Sequence, residues 1–253
     1  MKNAISDENS INTPNIFDVK RYISHSYLPI YQSKEFRQNK ILNSLEDENL
    51  LISPLELIEL SVGQRLFEFG SYVPYVYFPT SAIVSLLYVL ENGSSTEISV
   101  AGSEGMVGIS ALMDKTALGD AVVQSAGRAF RIKPRAARQM YDRGGDFQKS
   151  TMLYIHSLLS QMTQNCVCGR HYTIEQQLSR WLLERFDRSS IKEIKITQEV
   201  IANNLGVRRE SVTEASRKLQ DAGLVRCTRG CITILNRKDL ELRAGECYEM
   251  ARL

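Results

Sequence analysis

The chain has 253 residues, of which 43% are hydrophobic and 24% are charged, and its formal net charge at pH 7 is +2. This composition is typical of globular proteins and excludes extensive disorder, and the length exceeds the roughly 100–200 residues of a single domain. No apolar run approaches the roughly 20 residues that span a membrane, and the first residues, MKNAISDENS, lack the features of a secretory signal. We therefore expect a cytoplasmic protein of two domains that does not associate with a membrane.

The charge is unevenly distributed along the chain. Residues 174–238 hold 13 Lys or Arg against 8 Asp or Glu, a net +5, whereas residues 1–173 carry −1 and residues 239–253 carry −2. A local basic surplus is what phosphate binding requires. The five cysteines are expected to be reduced thiols, since no secretory signal precedes them, and no C-x-x-C pair indicates a metal site.

The first half of the chain predicts an antiparallel barrel. Residues 1–39 are polar without a clear period and are interpreted as an N-terminal extension. Residues 41–60, ILNSLEDENLLISPLELIEL, have helical apolar spacing with a break before Pro54, which predicts two short helices. Short β-rich segments follow at 65–69, 75–78, 83–90, 96–101 and 122–132, separated by Gly and Pro, with a hairpin signal at Asn92-Gly93. We assign residues 40–145 to an antiparallel barrel of the β-roll or jelly-roll type.

A glycine-rich loop interrupts the predicted barrel. Gly102–Met113 reads GSEGMVGISALM, with glycines first and a brief helical segment after them. Such a loop can hold a ligand through backbone N–H groups, and a plain barrel corner shows the same pattern.

A long helix and a hinge are predicted over residues 146–172. Apolar residues alternate there at spacings of three and four, which is a heptad seam: Met152, Ile155, Leu159, Met162 and Cys166. A helix packed within one chain gives a similar stripe, but a narrow stripe between two domains favours a homodimer interface. The break at 169–172 is interpreted as the hinge.

Residues 173–240 predict a winged helix-turn-helix domain, followed by a C-terminal tail over 241–253. Thr173 and Gln176 form a capping box for a helix with apolar residues at 178, 181, 182 and 186. TQEVIANNLGVRRESVTEASRK, residues 197–218, predicts two helices around a turn at Gly206, with Thr197 as a cap. LVRCTRGCITIL, residues 224–235, predicts a hairpin whose Arg226 and Arg229 would lie along a phosphate backbone. An ordinary helical hairpin with solvated charges is the alternative.

This α+β arrangement of barrel, long helix, hinge and winged helix-turn-helix resembles the Crp/Fnr family of bacterial transcription regulators over about residues 40–240. The resemblance is carried by GVRRESVTEASRKLQDAGLV at 206–225 and by VGISALM at 107–113, where the family has its phosphate-binding cassette. It implies a barrel that senses a small-molecule or nucleotide effector, a homodimer, a near-palindromic operator in double-stranded DNA, and contact with RNA polymerase.

The resemblance also implies how the DNA is contacted. The residues that align with base-reading positions are Arg209, Glu210, Thr213 and Glu214. Those placed for phosphates are Thr197, Arg208, Arg217, Lys218, Arg226 and Arg229. Family members that recognise a TGTGA-type half-site have an arginine where this chain has Glu214, so an altered operator is expected.

The sequence departs from the family at the effector site. Members that bind cyclic AMP have a glutamate where Ile109 follows Gly108, and an Arg-Ser pair where Gly119-Asp120 stand here. A carboxylate facing a phosphate is repulsive, so usual cyclic AMP binding is not expected, although another anionic nucleotide held by Arg128 or Arg131 stays open. Residues 1–165 contain no cysteine for an iron–sulfur cluster, and haem held by His156 or Cys166 also stays open.

Two other classes of function were weighed. A nucleotide-binding regulatory subunit that controls an enzyme or channel would use the same barrel, but the helix-turn-helix and the basic C-terminal half speak against it. No motif of a catalytic site is present, and the three histidines form no spaced group, so neither an enzyme nor a metal cofactor is expected.

Overall fold

The computed structural model of the protein describes residues 33–45, 55–188 and 193–249. Most of the predicted N-terminal extension and residues 46–54 lie outside this part. Residues 33–39, at the end of the extension, contact the barrel. Phe36 is buried, with its ring centroid 5.9 Å from that of Phe130. The Asn39 side-chain amide donates hydrogen bonds of 2.8 Å to the carbonyls of Pro79 and Gly105, just before helix α1 (Lys40–Asn43).

Over the described residues, the N-terminal domain has seven strands in two antiparallel sheets, which confirms the predicted barrel. In chain order they are β1 (Glu56–Leu60), β2 (Arg65–Phe67), β3 (Val76–Pro79), β4 (Ile83–Val89), β5 (Ser95–Ala101), β6 (Asp120–Ser125) and β7 (Gly127–Ile132). One sheet has the order β1-β7-β3 and the other β2-β6-β4-β5. The predicted strand over 122–132 is therefore two strands, separated at Ala126.

The helix predicted across residues 55–60 is wrong, because this segment is strand β1. Its register pairs Glu56 with Arg131, and the two side chains form an ion pair of 2.6 Å. Apolar residues at 55, 57, 58 and 60 fit a helix or a strand, and pairing with β7 decides between them.

Three helices connect the two domains. They are α2 (Pro134–Asp142), α3 (Gly145–His171) and α4 (Ile174–Arg188). The 27-residue α3 is the predicted long helix. At the break that follows it, the Thr173 N–H donates to Gln176 Oε1 (3.0 Å) and the Gln176 N–H donates to Thr173 Oγ1 (3.3 Å), which is the predicted capping box.

The C-terminal domain is a winged helix-turn-helix, as predicted. Its elements are β8 (Ile194–Lys195), α5 (Gln198–Leu205), α6 (Arg209–Asp221), β9 (Val225–Thr228), β10 (Cys231–Ile234), α7 (Arg237–Ala244) and α8 (Glu246–Glu249). The sheet order is β8-β10-β9. Leu182, Ile201 and Leu219 are fully buried in its core, to which Ala244 and Tyr248 of the predicted tail also belong.

The two domains contact each other through a buried polar cluster. Arg185 of α4 forms an ion pair with Glu97 of β5, and the Ser85 hydroxyl donates to the same carboxylate. The Arg185 guanidinium also lies 3.8 Å from the ring centroid of Trp181. Burial lowers the pKa of Arg185, and the Glu97 carboxylate opposes that shift. The C-terminal domain is thus held against the barrel by a buried pair of opposite charges.

Two of the five cysteines are not the reduced thiols that the sequence predicts. Cys168 near the end of α3 and Cys247 in α8 form a disulfide, with Cα atoms 6.0 Å apart. The expectation of five reduced thiols is therefore wrong for this pair. The two cysteines are 79 positions apart in the sequence, and the packing of α7 and α8 on α4 brings them together, which the sequence spacing does not reveal.

Candidate nucleic-acid interface and barrel cavity

The turn between α5 and α6 depends on two residues that the sequence singled out. Thr197 caps α5, since its hydroxyl oxygen accepts from the Val200 N–H at 3.3 Å. Gly206 ends α5 with φ of +66°, and a Cβ there would lie 2.7 Å from Thr96 Oγ1 of the barrel. Any side chain at 206 would meet both the strain of positive φ and this contact, so glycine is required.

Helix α6 has one buried and one exposed face. Val212, Ala215 and Leu219 are buried against the domain core. The predicted DNA-contacting residues of the motif are all exposed: Arg208, Arg209, Glu210, Thr213, Glu214, Arg217 and Lys218. The structure therefore places these residues together on the outward surface of one short helix and its N-terminus.

Some of these exposed side chains pair with one another. Lys218 Nζ lies 2.8 Å from Glu214 Oε1. The hydrogen bond lowers the pKa of Glu214 below its ordinary value and raises that of Lys218. Arg217 approaches Asp221, and Arg209 approaches Glu199, each at 3.9 Å. Exposed pairs of this kind are weak and screened by salt, so these side chains can exchange partners for DNA at small cost.

Thr213 has an additional partner that the sequence analysis missed. Its hydroxyl oxygen lies 2.7 Å from Gln198 Oε1 and 3.0 Å from the Arg209 carbonyl oxygen. A hydroxyl has one hydrogen to donate, and both neighbours are acceptors. The Thr213 hydrogen is thus used within the protein and links the N-termini of α5 and α6. No local sequence signal marks this contact, since the two residues are 15 positions apart.

The wing and the predicted seam also lie at the surface. Arg226 and Arg229 are exposed in the β9–β10 hairpin, where Gly230 has φ of +73°. On α3, Met152, Leu159 and Cys166 of the predicted seam are exposed, whereas Ile155 and Met162 are half-buried. Leu153, which the heptad pattern left out, is 65% exposed and widens the apolar surface of the helix.

A cavity of about 240 Å³ lies between the barrel, the Gly102–Met113 loop and α3. Val84 and Ala101 line it from the sheet, Met106 and Ile109 from the loop, and Leu158 from the helix. Three seam residues of α3 also line it, namely Ile155, Leu159 and Met162. The glycine-rich loop is therefore part of a cavity wall.

The positions that depart from the family's cyclic AMP pattern have other surroundings in the structure. Ile109 adds an apolar side chain to the wall. A Cβ at Gly119 would lie 2.7 Å from the Leu87 carbonyl oxygen. Any residue other than glycine would therefore require a backbone shift at this position. Asp120 accepts a 2.8 Å hydrogen bond from the Phe69 N–H and lies 3.5 Å from Arg65. The family's phosphate-binding pair has no equivalent at these positions.

The other sites that the sequence left open gain no support. Arg128 and Arg131 are absent from the cavity lining and pair with Glu35 and Glu56, both at 2.6 Å. Within residues 33–45, 55–188 and 193–249, no three His, Cys, Asp or Glu side chains converge as a metal site would require. Over the same ranges, no helix combines the length and apolarity that crossing a bilayer demands.

Comparison with known proteins gives two family matches along the chain. Residues 57–143 match the family model of the cyclic nucleotide-binding domain, and residues 176–243 match that of the Crp-like helix-turn-helix domain. Among curated protein sequences, none matches the chain significantly.

Solved structures share the whole arrangement at low sequence identity. FixK2 from Bradyrhizobium japonicum is 14% identical with a TM-score of 0.67, covering 76% of this chain and 98% of its own. A CRP-family transcriptional regulator from Thermus thermophilus is 17% identical with a TM-score of 0.66, covering 77% and 100%. The c-di-GMP-responsive regulator CLP from Xanthomonas campestris is 14% identical with a TM-score of 0.60, covering 71% and 93%. Carrying a cyclic nucleotide-binding domain ahead of a Crp-like helix-turn-helix, the chain belongs to the Crp/Fnr family of transcription regulators.

Proposed function

We propose that the protein is a homodimeric regulator that binds a near-palindromic operator and responds to an effector other than cyclic AMP. The observation that carries this proposal is the exposed face of α6. Arg209, Glu210 and Glu214 lie there opposite the buried Val212 and Leu219. Arginine pairs with guanine and glutamate accepts from cytosine N4, so this face has the chemistry to read G·C pairs in the major groove.

The homodimer is supported by the unpartnered apolar surface of α3. Met152, Leu153 and Leu159 are 51%, 65% and 59% exposed in the single chain. Large apolar side chains clustered along one long helix mark an interaction surface. A second copy of α3 would bury them at the heptad spacing of the seam. Two-fold symmetry would then give two copies of α6 to one operator, with RNA polymerase as the further partner that family membership suggests.

The proposed phosphate contacts surround the base-reading face. Arg208, Arg217 and Lys218 flank it on α6, Thr197 lies at the start of α5, and the wing adds Arg226 and Arg229. All of these side chains are exposed. Each Lys or Arg that contacts a phosphate releases counterions from the DNA, so binding should weaken as the salt concentration rises. The alternative of an enzyme- or channel-regulating subunit gives these residues no role.

The experiment is selection of duplex DNA from a randomised pool by the full-length protein. The proposal predicts enrichment of one inverted-repeat sequence that contains a G·C pair in each half, bound by two chains per duplex in sedimentation. A pool that stays random after repeated rounds, with only salt-dependent binding, would show that α6 does not read sequence.

A further inference from the structure

The cavity beside α3 has the size of a small organic ligand. Its volume is about 240 Å³, whereas an apolar protein cavity of about 150 Å³ is enough to hold benzene. Val84, Ala101 and Met106 in its wall are each less than 10% exposed, whereas Met113 and Leu118, which also line it, are 55% and 67% exposed. The cavity therefore has room for a compact molecule larger than benzene and is open to solvent on one side.

The lining of the cavity carries no charged side chain. Neither Lys, Arg, His, Asp nor Glu is among the residues that line it. The charged groups that act on the lining residue Tyr154 are Arg188 and Glu104, which pair with each other at 2.8 Å. An anion placed in the cavity would lose its hydration without gaining an opposite charge, which costs several kcal/mol. The lining thus selects against phosphates and carboxylates.

Three hydroxyl-bearing side chains are the polar exceptions in the lining. They are Ser99 from the sheet, Ser110 from the loop and Tyr154 from α3. Burial raises the pKa of Tyr154, so its phenol stays neutral. Apolar pockets with a few placed hydroxyls orient ligands that carry one or two hydrogen-bonding groups.

We propose that this cavity binds an uncharged, mainly apolar small molecule of about one to two aromatic rings in size, and that this molecule is the effector. This inference rests on the proposed function, since an effector acts on a regulator. Ile155, Leu159 and Met162 would touch both the ligand and the partner copy of α3. Occupancy can therefore change the packing of the seam, and with it the spacing of the two α6 helices.

The test is calorimetric titration of the full-length protein with three neutral probes, benzene, indole and naphthol. Naphthyl phosphate, which adds an anionic group to naphthol, is the charged comparison. At least one neutral probe should bind once per chain, and naphthyl phosphate should bind at least about tenfold more weakly than naphthol. Ala101→Leu, which fills the cavity, should lower the affinity for the neutral probe at least about tenfold. Ala126→Leu, the same change at an exposed site outside the lining, should leave that affinity unchanged. Ser110→Phe replaces Ala101→Leu if that variant does not fold.

Three results would overturn the inference: no neutral probe binds, naphthyl phosphate binds as tightly as naphthol, or probes bind only to a monomeric Met152→Asp variant. The last result would mean that side chains of the second copy fill the cavity. Selection of DNA by the same preparation separates the two claims. Sequence enrichment without probe binding contradicts the ligand inference alone, whereas probe binding without enrichment contradicts the proposed function alone.

Discussion

At the scale of single residues, Glu210 and Lys218 are both exposed on α6 but are expected to contact different parts of DNA. Glu210→Ala should relax discrimination at one base position by about 1–3 kcal/mol, because a carboxylate can accept from only certain base edges. Lys218→Ala should weaken binding to all sequences alike and reduce the salt dependence, because a phosphate contact carries no sequence information. The measurement is a binding titration over a randomised operator library at two salt concentrations.

The ion pair between Lys218 and Glu214 has its own test. Glu214→Gln frees Lys218 from its 2.8 Å partner and keeps the size of the side chain, but it removes a carboxylate placed for base reading, so it should shift the sequence preference. If Glu210→Ala and Lys218→Ala both lose affinity uniformly, with unchanged sequence preference, the placement of Glu210 against a base is wrong.

At the scale of elements, α3 is the predicted dimer interface, and its exposed residues give the cleanest test. Met152→Asp with Leu159→Asp should give a monomer in sedimentation, since burying unpaired charges in an apolar seam costs several kcal/mol per ion. Ile155 is a poorer choice, because it is half-buried toward the cavity. Leu242→Asp, at a residue that is 73% exposed on α7, is the matched control. A dimer that survives the double change would move the interface to another surface.

The disulfide between Cys168 and Cys247 joins the end of α3 to α8 and gives a second element-scale prediction. Thiol titration of unfolded, non-reduced protein should find three free thiols, those of Cys166, Cys227 and Cys231. Reduction should raise the count to five, and Cys247→Ser without reduction should give four. Closing a loop of this length restricts the unfolded chain, so reduction should lower the thermal midpoint. Five free thiols before reduction would contradict the link.

The sequence predicted elements well where local chemistry decides them. The capping box of Thr173, the turn at Gly206 and the hairpin at Gly230 follow from short-range rules and are all present. The apolar spacing of strand β1 also fits a helix, because only its pairing with β7 distinguishes the two. The Thr213–Gln198 contact and the Cys168–Cys247 link could not be found, since each joins residues that only the tertiary fold brings together.

At the scale of the whole molecule, the Arg185–Glu97 pair fixes the DNA-binding domain on the barrel. Both side chains are less than 10% exposed. Arg185→Met would leave the Glu97 carboxylate buried without its cation, so the free energy of unfolding should fall by about 3–5 kcal/mol. Adding Glu97→Leu should recover most of that loss, because an apolar pair has no charge to desolvate. Denaturant titration of the single and double variants measures both effects. If Arg185→Met alone is as stable as the wild type, the pair does not hold the domains together.

The proposed homodimer would place two copies of α6 on one two-fold symmetric operator. The most direct measurement is hydroxyl-radical footprinting on the selected operator, combined with the mass of the complex. Two protected segments with centres about one helical turn, roughly 10 to 10.5 bp, apart, under a complex of two chains, are expected. A single protected segment, or one chain per operator, would contradict a homodimer that reads DNA through paired α6 helices.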